Sequence, residues 1–276
     1  MKIFAFSDEA APDLGGQIAA MKRNGLDGTE IRGVDGRSVV SLTVKEAAEV
    51  LRRLRDSGLS VWSVGSPLGK IPLEDPGFGA HLDLLRHTLE IAAVLECENI
   101  RMFSFYLPEN ARPEDCRNEV IDRLGQMAEV AEGSGIRLCH ENEKGIYGDS
   151  AARCAEILDA VPSLRCVFDP ANFIQCGQDV PEAWALLGER VFYMHIKDAL
   201  ADGTVVPAGR GIGHLPELLR DYAARGGNTV TVEPHLRVFE GLAALEKDRR
   251  TPLPAGAYPT ADAAFDAACE ALKNLI

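Results

Sequence analysis

Residues 133–141 read "GSGIRLCHE", and how they are read decides the fold. A glycine just past a helical pattern supplies the left-handed residue that ends a helix. The apolar run after it reads as a buried strand, here finishing on charged groups. The same join recurs in "RNGLDGTEIR" (23–32), "DSGLSVWSV" (56–64) and "RGGNTVTVE" (225–233). Two variants, "LECENIRMFSF" (95–105) and "AVPSLRCVFD" (160–169), keep the switch from helix to strand without the glycine.

Amphipathic helices fill the intervals. Leu14, Ile18 and Met21 share one face of the first, and Val44, Ala47, Leu51 and Leu54 one face of the second. The opposite face of the second carries Lys45, Glu49, Arg52 and Arg53, as a solvated surface should. Strands are expected near 2–6, 27–31, 59–64, 99–105, 136–141, 165–169, 191–196 and 229–233, each followed by a helical pattern. Eight such alternations predict an α/β fold, a (βα)8 TIM barrel, spanning 1–276 as a single domain. A doubly wound open sheet is the alternative, weakened because no GxGxxG follows the first strand. The longest irregular connection, 234–260, carries the apolar residues Val238, Phe239, Leu242 and Leu245. It reads either as a cover for the barrel mouth or an oligomer surface, or as a plain surface loop.

A net charge of −13 repels phosphate backbones and argues against nucleic acid as a partner. Cys97, Cys116, Cys139, Cys154, Cys166, Cys176 and Cys269 form no CxxC pair and read as free thiols of a reducing compartment. The start "MKIFAFSDEAAP" is no secretory signal, and no apolar run approaches the ~20 residues of a spanning helix. The expectation is a cytoplasmic protein with no membrane partner.

Catalytic groups of such barrels sit at the C-terminal ends of strands. Strands five to eight end in "RLCHE", "RCVFD", "FYMHIKD" and "VTVEPH", which offer Glu141, Asp169, His195 and Glu233. Each is the fifth residue counted from Arg137, Arg165, Val191 and Thr229, so similar depths are expected. Alternation would turn Cys139, Val167, Tyr193 and Thr231 into the barrel below them. Arg137 and Arg165 share that parity and would have to reach the bottom opening. Three carboxylates and one imidazole suit one divalent ion, Mn²⁺, Mg²⁺ or Co²⁺, with Zn²⁺ also accommodated. Glu143 shares the parity of Glu141 but stands two residues further out, so Glu141 is the first choice and Glu143 the second. His140 falls on the helix-facing side, and Asp149 with Ser150 reads as a helix N-cap.

The motifs "ENEKGIYGD", "FDPANF", "HIKDA" and "VEPHL", with "PAGRGIGHLPELL" before the last, resemble the sugar phosphate isomerase/epimerase family of xylose isomerase-like barrels. The resemblance runs over essentially the whole chain. It implies that Glu141, Asp169, His195 and Glu233 are metal ligands and that Glu141 and Glu233 are the acid/base pair. The implied enzyme acts on a small keto-sugar, keto-polyol or sugar phosphate by abstracting an α-proton through an enediolate. The same resemblance includes lyases (dehydratases) of keto-inositols and dehydroshikimate, which expel a β-hydroxyl instead. Relatives are often dimers or tetramers.

One departure stands out: Asn172 occupies a place where many relatives have a histidine. Asn172, Lys197, Asp198, His235, Lys144 and Arg210 are candidate substrate contacts, Arg210 with a surface role as its competing reading. Asp8 and Glu9 are placed at the mouth. An abasic-site endonuclease would need more histidines than this chain's six, of which His81, His87 and His214 lie in helical or pre-helical segments. A non-enzymatic sugar-binding barrel would not need to keep all four ligands.

Overall fold

The computed structural model describes residues 1–239, 252 and 257–276. Eight strands run in parallel: β1 (Lys2–Ala5), β2 (Gly28–Ile31), β3 (Ser60–Gly65), β4 (Asn99–Met102), β5 (Arg137–Glu141), β6 (Arg165–Phe168), β7 (Val191–Ile196) and β8 (Thr229–Val232). They close into a barrel in chain order, because β1 pairs with β2 through Phe4 and Gly28 and with β8 through Ile3 and Val230. The open-sheet alternative is therefore ruled out.

The helix-to-strand joins form for the reason their glycines indicate. After α1 (Leu14–Arg23), Gly25 lies at φ 55° and the Leu26 N–H donates back to Met21 O at 3.0 Å. That bond satisfies a carbonyl the helix end leaves over. After α3 (Phe78–Val94), where glycine is lacking, Glu96 takes the same left-handed conformation at φ 51°. In α2 (Val44–Asp56) the buried positions are Ala47, Val50 and Leu54, while Val44 is exposed as the first residue after the N-cap of a Thr43–Glu46 capping box.

Two apolar regions result. The larger lies between the barrel wall and the helices. The smaller fills the barrel: Cys139, Val167 and Tyr193 point inward as the strand parity requires, and Trp62 and Phe192, each at an irregularity in strand pairing, pack against them. Beneath them Arg137 reaches Glu98 at 2.9 Å, and Arg165 donates to Pro162 O at 3.3 Å. Strand pairing is stepped: Glu141 faces Val167, Val167 faces Tyr193, and His195 faces Thr231. Asp169 and Glu233 thus stand beyond the partners of Glu141 and His195 along the hydrogen-bonded rows. Tilted strands need this offset for side chains at one level to converge. Cys97, Cys116, Cys139, Cys154, Cys166 and Cys269 are buried free thiols. Among the described residues no helix is long and apolar enough to cross a membrane. Of the apolar residues in the 234–260 connection, Leu242 and Leu245 lie outside the described residues; Val238 is exposed and Phe239 buried.

Candidate metal centre

The four strand-end residues meet. Glu141, Asp169, His195 and Glu233 are buried, and one donor atom from each lies within 4.8 Å of the others. Local sequence explains how two of them are held. In "DPAN", Asp169 caps the helix Pro170–Gln175: its Oδ1 accepts the Asn172 N–H at 2.9 Å, with proline at the first helical position. That leaves Oδ2 facing the cluster. In "EN", Asn142 joins the ends of β5 and β6, accepting the Asp169 N–H at 2.9 Å and donating to the Asp169 carbonyl at 2.9 Å.

His195 has both ring nitrogens engaged. Nδ1 lies 2.8 Å from Glu141 Oε1 and 3.6 Å from Glu233 Oε2, while Nε2 lies 3.0 Å from Glu30 Oε2. Burial opposes charging of the imidazole, but Glu141 and Glu30 outweigh it and hold its pKa well above the ordinary value. Lys197 Nζ stands 2.9 Å from Asp169 Oδ2 and 2.9 Å from Glu233 Oε2. Burial resists ionisation of Glu233, and the neighbouring Lys197 and His235 nevertheless hold its pKa well below normal. Burial pushes Asp169 upward despite the attraction of Lys197.

This donor set fits a divalent cation. Asp169 Oδ2 is a buried oxygen whose approach to Lys197 lacks hydrogen-bond geometry, so no donor satisfies it. The surrounding charges agree. Among the described residues seven carboxylates (Asp8, Glu9, Glu30, Glu141, Glu143, Asp169, Glu233) adjoin five cationic side chains (Arg32, Lys70, Arg101, Lys144, Lys197). With the His195 ring protonated, as Glu141 and Glu30 favour, one negative charge remains; a ring neutral as a metal ligand would leave two, which one divalent ion would offset.

The mouth is a small, partly open pocket lined among others by Lys70, Arg101, Phe103, Glu143, Lys144 and His235. Asn172 sits inside the site, its amide 3.4 Å from Glu141 Oε1 and 3.0 Å from the Asn142 carbonyl. Lys144 lies at the rim, donating to Gln175 at 3.3 Å. His235 lies 3.0 Å from Glu9 and 3.5 Å from Glu233. Glu143 is held by Lys70 at 3.1 Å; burial works against its charge, but Lys70, Lys144 and Lys197 bring its pKa down to about 2.

Two candidates fall elsewhere. Asp198 is consumed by its loop, accepting the N–H groups of Ala199, Gly209, Gly211 and Gly213 at 2.9–3.0 Å. A Cβ at Gly211 or Gly213 would come to 2.3 or 2.6 Å from its Oδ1, and Gly209 takes a left-handed φ of 79°, which together explain the glycines of "GRGIG". Arg210 is exposed and does not line the pocket. Asp8 and Glu9 bind Arg32, at 2.9 and 3.0 Å, instead of standing open at the mouth. His140 is buried against Ser104, with its pKa lowered to about 3 by burial. Ser150 caps the helix Ala151–Ala160, and Asp149 holds Arg153.

Three buried charges escaped the sequence reading: Glu30, Arg32 and Arg101. Arg101 lies 3.3 Å from Glu141, and Arg32 lies 3.7 Å from Glu233 and 4.4 Å from the centre of the Phe6 ring. A glutamate inside the four-residue strand "GTEI" was the available signal, since unpaired charges are rarely buried.

Residues 18–272 match the sequence model of the family described as xylose isomerase-like TIM barrel, and the chain belongs to that family. No curated protein sequence matches it significantly. Solved structures share the fold at low identity. The IolI protein with a zinc atom superposes with a TM-score of 0.77 at 16% identity, covering 100% of this chain and 98% of its own. The probable 3-DHS dehydratase AsbF from Bacillus anthracis gives 0.75 at 17%, covering 99% of each. D-psicose 3-epimerase in the presence of D-fructose gives 0.75 at 17%, covering 99% of this chain and 98% of its own. The fold thus occurs in epimerases and dehydratases alike.

Proposed function

We propose that the protein is a metal-dependent isomerase or epimerase of a small keto-sugar, keto-polyol or sugar phosphate. The observation that carries this reading is the convergence of Glu141, Asp169, His195 and Glu233 within 4.8 Å at the floor of a small polar pocket. A bound Mn²⁺, Mg²⁺, Co²⁺ or Zn²⁺ ion would supply electrostatic stabilisation of negative charge on substrate oxygens. Glu141 removes the proton α to the substrate carbonyl. Glu233, ionised at rest, returns a proton that it draws from the Lys197 ammonium 2.9 Å away, to the opposite face for epimerisation or to the adjacent carbon for an aldose–ketose shift. The proton taken by Glu141 passes through solvent to restore Lys197. Asn172 offers an amide hydrogen bond but no proton relay. Lys197 keeps Glu233 ionised, and His235 and Lys144 approach the substrate from the rim. Asp198 and Arg210 have no part in the reaction. A cytoplasmic homodimer or homotetramer belongs to the same reading.

A second reading is a lyase using the same proton abstraction and then losing a β-hydroxyl. Likeness to AsbF favours it. One experiment separates the two: metal-loaded protein is incubated in D₂O with ketoses, keto-inositols, hydroxypyruvate, dehydroshikimate and their phosphates. Exchange into recovered substrate or its epimer is the expected result. An ultraviolet-absorbing enone would support the lyase. Failure to exchange or convert any of the panel would overturn both.

A further inference from the structure

Glu30 belongs to none of the strand-end motifs, yet it is fully buried beneath the four donors. Its Oε2 lies 3.0 Å from His195 Nε2, and its Oε1 accepts a hydrogen bond from the Tyr193 hydroxyl at 3.0 Å. A carboxylate only accepts, so each ring nitrogen holds a proton toward its own carboxylate, Nε2 toward Glu30 and Nδ1 toward Glu141. A divalent ion held by Glu141, Asp169 and Glu233 would displace only the proton on Nδ1, the nitrogen facing Glu141 and Glu233.

We infer that Glu30 is a positioning residue that fixes the His195 ring with Nε2 protonated, so that Nδ1 turns its lone pair toward a divalent ion shared with Glu141, Asp169 and Glu233. The inference rests on the metal-dependent reading above and adds a requirement that the four ligands do not state. Glu30 does not touch the ion. It acts through the imidazole, restricting rotation about the ring and raising the donor strength of Nδ1. Tyr193 holds the far oxygen of Glu30, so the carboxylate itself has little freedom to turn. Arg101, 3.9 Å from Oε1, helps to offset the buried charge. A simple counter-charge for Arg101 would be the competing role, and it predicts no effect on the ion.

The test uses the full chain stripped of metal and titrated with Co²⁺ against a chromophoric chelator. Glu30→Gln keeps the shape but allows the amide to donate to Nε2, so Co²⁺ affinity should fall by about 10–100-fold with the fold intact by circular dichroism. Tyr193→Phe, which frees the far oxygen of Glu30 but leaves the Glu30–His195 contact, should lose less affinity than Glu30→Gln. In the Co²⁺-loaded wild type, proton NMR should show one paramagnetically shifted ring N–H in slow exchange with solvent, lost or fast-exchanging in Glu30→Gln. Wild-type affinity and an unchanged N–H signal in a folded Glu30→Gln would overturn the inference. So would the absence of any protected shifted N–H in the wild type, which needs no variant at all. A wild type that binds no divalent ion would instead overturn the metal-dependent reading itself, and this inference with it.

Discussion

Asn142 and Asp169 hold each other across the ends of two neighbouring strands: Asn142 Oδ1 accepts the Asp169 N–H at 2.9 Å, and Asn142 Nδ2 donates to the Asp169 carbonyl at 2.9 Å. One side chain thereby satisfies both backbone groups of the next residue in the cluster. Asn142 directly follows Glu141, so the pair fixes the separation of two proposed ligands. Asn142→Ala leaves both backbone groups without these bonds in a buried place. It should cost about 1–3 kcal/mol for each group left unsatisfied, read by urea unfolding. A loss below 1 kcal/mol would mean the strand ends stay aligned without the clamp.

Glu141→Gln and Glu233→Gln preserve volume and remove the ability to accept a proton. Each should lower turnover of the true substrate by about 10²–10⁴-fold, with the thermal unfolding profile little changed. Near-wild-type rates in both variants would sink the acid/base assignment. Glu143→Gln serves as the comparison. Glu143 is tied to Lys70 at 3.1 Å and stands apart from His195, so its loss should disturb KM more than kcat.

Removal of divalent ions should inactivate the enzyme, and elemental analysis of the active protein should find about one ion per chain. Binding to the folded state alone raises stability by mass action, about 2.7 kcal/mol at a hundredfold excess over Kd. The melting temperature should therefore climb with added Mn²⁺ or Co²⁺ in wild type but not in Asp169→Ala, which lacks one donor. Full activity in metal-free protein would remove the basis for the site.

Much of the architecture and the four donors were legible because each depends on short-range pattern. Glycine after a helix, apolar runs of strand length and charges at strand ends are all local. Parity also carried over: Cys139, Val167 and Tyr193 point into the barrel. What local pattern does not reveal is which charges find partners across the barrel. Glu30 and His195 are separated by 165 positions and meet only because the ring closes. Arg32 and Arg101 read as ordinary strand-end cations until their carboxylates are seen beside them. Asp198 misled in the opposite direction. It stands at a strand end like the ligands, yet the alternating glycines of the following loop turn their N–H groups onto it.

The buried His140 ring, next to Glu141 in the chain, makes the fold sensitive to acid. Gly148 N–H donates to Ser104 Oγ at 2.8 Å, and that hydroxyl lies 3.0 Å from His140 Nε2, so its own proton is free to point at the ring. Burial brings the pKa of His140 from 6.5 down to about 3, and the folded chain keeps this imidazole neutral. Between those two values the unfolded chain binds a proton that the folded chain does not. Stability must therefore fall as pH falls from about 6.5 toward about 3, by about 1.4 kcal/mol per pH unit from this residue. Other groups titrate in the same range: His81 is also lowered by burial, while His195 is raised. The measurement is accordingly a difference. Unfolding free energies of wild type and His140→Asn, taken from pH 6.5 down to 5, should diverge in slope by about one proton, with the wild type the steeper. Parallel slopes would show that His140 takes up its proton inside the folded barrel.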